Sequence, residues 1–127
     1  MSAAADDIYQ EFIIELYKNP LNFGKMENAD YRGEVYNATC GDIVELFIKA
    51  EKGLVKEAKF MGKGCAISQA SASLFTGFLI GKKVADLAII RKEDVLALLK
   101  IDLSRNPTRM RCALLPLEAM KKALKKG

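Results

Sequence analysis

The chain has 127 residues and a mass of 14.0 kDa, half of it apolar and 28% charged, which suits one domain spanning 1–127 and excludes two independent cores or disorder throughout. The net charge of +4 is unevenly spread: residues 1–51 hold 4 basic and 10 acidic side chains, residues 52–127 hold 16 basic and 6 acidic. Three cysteines and no histidine exclude a closed internal disulfide framework and any serine–histidine or cysteine–histidine nucleophile, and leave a metal only thiolate or oxygen ligands.

No apolar run approaches the roughly 20 residues that span a bilayer. The start, Met1-Ser2-Ala3-Ala4-Ala5-Asp6-Asp7, has no basic stretch before an apolar one, so a cytoplasmic protein without a signal peptide or membrane partner is expected.

In chain order, Asp7 with Gln10 three residues on has the spacing of a capping box. Ile8, Tyr9, Phe12, Ile13, Leu16 and Tyr17 then recur at helical spacing until Asn19-Pro20 ends the pattern. Three antiparallel strands in a meander are expected next: Tyr31 to Asn37, the alternating Asp42 to Ala50, and Leu54 to Met61 after the Glu51-Lys52-Gly53 turn. From Cys65 to Ile80 the period becomes helical, with a face through Ile67, Ala70, Leu74 and Phe78 flanked by Ser71, Phe75 and Leu79, and Gly81 as its stop. Residues 84–90 fit either a helical turn or extended chain, and Arg91 to Leu99 reads as a helix. Residues 102–111 read as a polar, basic loop, and a last helix is expected after Cys112, with Pro116 early in it.

Cys40, Cys65 and Cys112 each stand where an element is expected to begin. Their spacing matches neither a zinc finger nor a ferredoxin run, so only the fold could unite them. A lone cysteine is ordinarily a small buried hydrophobe, but Gly41 follows Cys40, and Gly62 and Gly64 precede Cys65. That suggests backbone passing close to something bound, the simpler reading being strand-ending turns. Cys65 would face the unpaired amides of a helix start, and Cys112 has Arg109 and Arg111 beside it. Asp42, two residues from Cys40, is the carboxylate close in sequence to these thiols. It could stabilise a turn through backbone amides, complete a four-ligand set for zinc or cluster iron, or do both.

Three segments carry a specific likeness: Thr39-Cys40-Gly41-Asp42, Gly62-Lys63-Gly64-Cys65-Ala66-Ile67-Ser68-Gln69-Ala70-Ser71-Ala72-Ser73, and Arg111-Cys112-Ala113-Leu114. With Asn19-Pro20 and Asn22-Phe23-Gly24, they resemble the iron–sulfur cluster scaffold proteins of the NifU N-terminal, IscU and SufU type over roughly residues 8–125. The resemblance implies an α+β fold, a small, mainly antiparallel three-stranded sheet packed against helices as a two-layer sandwich. It implies that Cys40, Asp42, Cys65 and Cys112 converge at an exposed end as ligands of a transient [2Fe–2S] cluster or iron, with zinc as the alternative occupant. Cys112 in one branch and Cys40 in the zinc-dependent branch would receive persulfide sulfur from a cysteine desulfurase, and a carboxylate at Asp42 would ease release to apo iron–sulfur acceptor proteins. An iron or electron donor is a further implied partner. The implied role is that of a scaffold and sulfur acceptor, not a conventional enzyme.

Two departures qualify the match. Many scaffolds have histidine where this chain has Arg111, a basic residue there resembling the SufU-like branch, yet the spacing of 47 from the second to the third cysteine leaves no room for the SufU insertion. The Leu-Pro-Pro-Val-Lys stretch offered to a specialised Hsp70 chaperone is missing; Arg105-Asn106-Pro107-Thr108-Arg109 matches only at Pro107 and conservatively at Arg109, which argues against that partner. Arg111 and Lys63 would hold thiolates charged or attract the sulfur donor. A nucleic-acid partner is not expected, because Phe60, Phe75 and Phe78 form no stacking platform.

Overall fold

A computed structural model describes residues 3–39 and 41–126, with side-chain surroundings for 11–39 and 41–125. In chain order come α1 (Ala3–Lys18), β1 (Tyr31–Asn37), β2 (Asp42–Glu51), β3 (Leu54–Lys63), α2 (Ala66–Leu79), a 3-10 segment (Val84–Ile89), α3 (Lys92–Leu99) and α4 (Pro107–Lys126). The strands form the expected antiparallel meander, in the order β1-β2-β3, and the fold is α+β.

Alternation sends one set of side chains to the helices. Gly33, Val35 and Asn37 lie opposite Leu46, Val44 and Asp42, and Leu46 and Ile48 lie opposite Phe60 and Ala58. This is the buried face, covered by α4 over β1 and β2 and by α2 over β3. The approach of α4 is close: a Cβ at Gly33 would run into the carbonyl of Ala119 and the backbone of Ala123. On the opposite face Phe47 is fully buried, with the Arg32 guanidinium 4.9 Å from its ring centroid. A second apolar cluster, with Ile13, Leu16, Ala70, Leu99, Leu103 and Ala113, joins α1 to the other helices.

Asn22-Phe23-Gly24 does more than extend the turn after α1. Phe60 N–H donates to Asn22 O and Gly24 N–H to Phe60 O, at 3.0 and 2.9 Å, so the segment pairs with the β3 edge. Covering an otherwise open strand removes a site of edge-to-edge association.

Three sequence expectations need correction. Helix α1 begins at Ala3, so Asp7 lies inside it and not at its N-cap position; Asp7, Ile8, Tyr9 and Gln10 have side chains outside the described set. Of the expected face, Ile13 and Leu16 are buried while Phe12 and Tyr17 are exposed. In α2, Ala70 is fully buried but Ile67, Leu74 and Phe78 only half; the flanking Ser71, Phe75 and Leu79 are buried as expected, and so are Ser68, Gln69, Ala72, Ser73 and Thr76. This helix is surrounded by α1, α3, α4 and β3, so small side chains fill nearly its whole circumference and no single stripe defines its face.

The third correction concerns the last helix. It starts at Pro107, so half of the expected basic loop, residues 107–111, is its first turns and Cys112 lies inside it. The start was encoded: Asn106 Oδ1 accepts the Arg109 N–H at 3.1 Å, and Pro107 takes the first helical position, where a missing N–H costs nothing. Pro116 consequently falls in the middle of α4. Among the described residues no helix is long and apolar enough to cross a membrane.

Candidate metal centre

Asp42 is the first residue of β2 and the register partner of Asn37 on the helix-facing side. That parity buries its carboxylate completely. Cys65 caps α2 in extended geometry, φ −74° and ψ 163°, without a side-chain cap hydrogen bond of its own. Its N–H instead donates to Asp42 Oδ1 at 2.8 Å, and its Sγ lies 3.7 Å from Asp42 Oδ2. An aspartate distant in sequence thus satisfies an orphan amide of the helix start. Cys112, on α4, completes the group: one Asp42 oxygen and the sulfurs of Cys65 and Cys112 all lie within 4.8 Å of one another.

The glycines explain how the carboxylate fits. Gly64 has φ +146°, and a Cβ there would occupy the place of the Asp42 carboxyl group. A Cβ at Gly62 would strike the Ile43 carbonyl. These glycines make room for Asp42 and for the neighbouring strand, a steric reason within the chain itself. Gly41 turns at φ +72° in open space and donates its N–H to Asn37 O at 2.8 Å.

Cys40 lies outside the described residues. Lys63 is exposed at the end of β3, and Arg111 is exposed on α4 beside Cys112. The centre is less open than expected: Asp42 is 0% exposed, Cys112 1%, and Cys65 partly exposed. Its depth follows from parity on β2 and from Cys112 lying within a helix packed on the sheet, not on a loop before one. Cys112 is nonetheless not sealed among apolar groups alone, since Asp42 and the Cys65 thiol are its neighbours.

Among the described residues no lysine or arginine pairs with Asp42; the ion pairs lie on the exposed sheet surface and its turn. A wide groove of about 1090 Å³ runs beside the centre between α4 and the 88–93 segment, with Thr39, Arg91, Lys92, Arg111 and Lys121 among its lining.

Two roles and one placement escaped the sequence reading. Asn37, 2% exposed, accepts the Thr39 N–H at 3.2 Å and shapes the turn toward Asp42, while its Nδ2 has no partner among the described residues. An asparagine two residues before an open turn is a legible Asx signal. Ser71 bridges α2 to α4 through the Ala113 carbonyl at 2.5 Å, and nothing in spacing announces that. Pro116 was visible, but its place in α4 depended on where α4 starts.

Comparisons with known proteins point to one family. A family model described as the NifU-like N terminal domain matches residues 8–126. The chain is 37% identical to the iron–sulfur cluster assembly scaffold protein IscU of Thermotoga maritima, covering 94% of each chain. It is 34% identical to the zinc-dependent sulfurtransferase SufU of Bacillus subtilis, over 98% of this chain and 95% of that one. Among solved structures, a putative iron–sulfur cluster assembly scaffold for the SUF system from Fervidobacterium islandicum superposes with a TM-score of 0.75 at 30% identity, covering 93% of this chain and 97% of that one.

Proposed function

Since the chain belongs to the NifU-like N-terminal domain family, we propose that it is a scaffold for iron–sulfur cluster assembly: it accepts sulfur from a cysteine desulfurase, assembles a [2Fe–2S] unit and delivers it to apo iron–sulfur proteins. The observation that carries this reading is the meeting of Asp42, Cys65 and Cys112 within 4.8 Å, from a strand start, a helix start and a helix interior. Burying a carboxylate without a cationic partner is costly. A metal ion between it and two thiolates supplies the missing positive charge. The edge of a tetrahedron with metal–sulfur bonds near 2.3 Å and metal–oxygen bonds near 2.1 Å is roughly 3.5–3.8 Å, and the 3.7 Å between Cys65 Sγ and Asp42 Oδ2 fits it. Cys40, two residues before Asp42, completes the donor set in this proposal.

The residues divide the work by their chemistry. Cys40 and Cys112 are the proposed sulfur receivers: a thiolate attacks the terminal sulfur of the donor's persulfide, that S–S bond breaks, and the donor's cysteine leaves as thiolate with no net change in electrons. Reduction and iron come from separate donors. Cys112, at 1% exposure, becomes reachable on local opening. Asp42 is a harder, poorer ligand for cluster iron than thiolate, which eases release of the cargo. Arg111 and Lys63, with the cations along the adjoining groove, attract an acidic donor surface.

A second reading, a zinc-holding sulfur acceptor that activates the desulfurase without building clusters, is favoured by the burial of Asp42 and Cys112. A closed set of donors suits one small ion held tightly. Anaerobic incubation with a cysteine desulfurase, cysteine, ferrous iron and reductant separates the two. Cluster absorption with matching iron and sulfide, passed on to apo-ferredoxin, is the expected result. Raised desulfurase turnover with zinc retained and no cluster formed would replace the scaffold by the acceptor.

A further inference from the structure

Helix α4 carries Pro116 in the middle of its 20 residues, with the ring buried against the core. Proline has no N–H to give to the carbonyl four residues earlier, and its ring crowds that carbonyl, so such a site weakens or bends a helix. Four residues before Pro116 is Cys112. The α4 ladder therefore lacks the N–H of Pro116, one turn after the residue whose sulfur joins the metal centre.

One residue further on, another group holds the helix. Ser71 Oγ donates to the Ala113 carbonyl at 2.5 Å, with Ser71 1% and Ala113 0% exposed. A buried serine in a helix has a local alternative, the carbonyl one turn back, which Thr76 of the same helix uses by donating to Ala72 O at 2.9 Å. Ser71 reaches across to α4 instead. Its own helix is anchored at the other cysteine, where Ser68 Oγ and Gln69 N–H donate to the Cys65 carbonyl at 3.0 and 3.3 Å. The bridge thus joins the two cysteine-bearing helices, one residue beyond Cys112 and six beyond Cys65.

We infer that Ser71 is a positioning residue of the metal centre: its bond to Ala113 replaces the rigidity that Pro116 removes and fixes where Cys112 stands relative to Cys65. The inference rests on the metal-centre reading above for its metal readout, whereas its hydrogen-exchange readout needs no metal. Partners that orient ligands from behind typically change metal affinity by about 10–100-fold.

The test is an anaerobic titration of the apo chain with Co²⁺, read by thiolate-to-cobalt charge transfer and the visible ligand-field bands, beside amide hydrogen exchange of residues 112–117. Ser71→Ala is expected to weaken Co²⁺ binding about tenfold, to alter the ligand-field bands, and to speed exchange in that segment. Ser71→Thr, which keeps the hydroxyl, should restore all three. Pro116→Ala restores the missing N–H, so alone it should leave Co²⁺ affinity near wild type, and combined with Ser71→Ala it should recover most of the loss. Ser71→Ala indistinguishable from wild type in binding, spectrum and exchange overturns the brace, as does a Ser71→Ala penalty that is the same with and without Pro116. A wild-type chain with no thiolate–cobalt band overturns the metal-centre reading itself, and the positioning role with it.

Discussion

The two ends of the β2–β3 hairpin use nearly the same residues for opposite purposes. At the turn stand Glu51-Lys52-Gly53; at the far end Asp42 meets Gly62-Lys63-Gly64. Glu51 is exposed and pairs with Lys56 at 2.8 Å, while Lys52 and Gly53, φ +55° and +79°, turn the chain with open space around the glycine. Asp42 is fully buried, caps the Cys65 amide, lies against two sulfurs, and leaves no room for a Cβ at Gly64. Water solvates the first carboxylate whatever its neighbours do. The second depends on the particular groups around it, and on that dependence rests its proposed role in holding and releasing a cation.

The largest expected difference between the ends is steric. Gly64→Ala should cost about 3 kcal/mol through strain and collision with Asp42 and should abolish tight metal binding, whereas Gly53→Ala should cost only about 1 kcal/mol for its left-handed backbone. Urea denaturation of both variants checks this; equal losses would break the contrast.

Removing charge is next. Asp42→Asn keeps an acceptor for the Cys65 N–H but loses the anion, and should lower Zn²⁺ affinity by about 10-fold or more in competition with a chromophoric chelator. Glu51→Gln should leave that affinity unchanged. Under the proposed function, Asp42→Ala should hold a reconstituted cluster longer and transfer it to apo-ferredoxin more slowly; equal lifetimes and rates would remove Asp42 from release.

The smallest effect is the pH response of the turn. The hydrogen bond and charge of Lys56 hold the Glu51 carboxyl below its ordinary range, and Glu51 in turn raises Lys56. For Glu51, a lowered folded value means stabilisation present above the ordinary carboxylate range and lost as pH falls through the folded value. Both groups are exposed, so Lys56→Ala should shift the melting temperature barely at all at neutral pH. Any shift should disappear near 1 M salt, where the screening length is about 3 Å. A salt-resistant loss would mean that the turn is more tightly built than its exposure suggests.

Legibility along the chain followed the range of the interactions involved. The strands were readable because alternation in Asp42 to Ala50 is itself the burial pattern, and the Lys52-Gly53 turn sets the β2–β3 register locally. The start of α4 was encoded in Asn106-Pro107 but masked by surrounding arginines that proved to be helical. The face of α2 was not readable, because a helix enclosed by α1, α3, α4 and β3 has no solvent side to set a period. The glycines before Cys65 were recognised as special, yet their reason, a carboxylate arriving from β2, lies 22 residues away at Asp42.

The sequence by itself singled out the residues proposed to carry the chemistry: thiols without histidine, one neighbouring carboxylate, and a family likeness in the segments that hold them. Only the tertiary structure decided that Asp42 turns inward to cap Cys65, that Cys112 rises from within α4, and that Ser71 ties the two cysteine-bearing helices together. Residue identity is a local property, fixed position by position. Depth and separation arise when a strand's parity, a helix's starting point and the packing between them act together, and none of those is written at any single position.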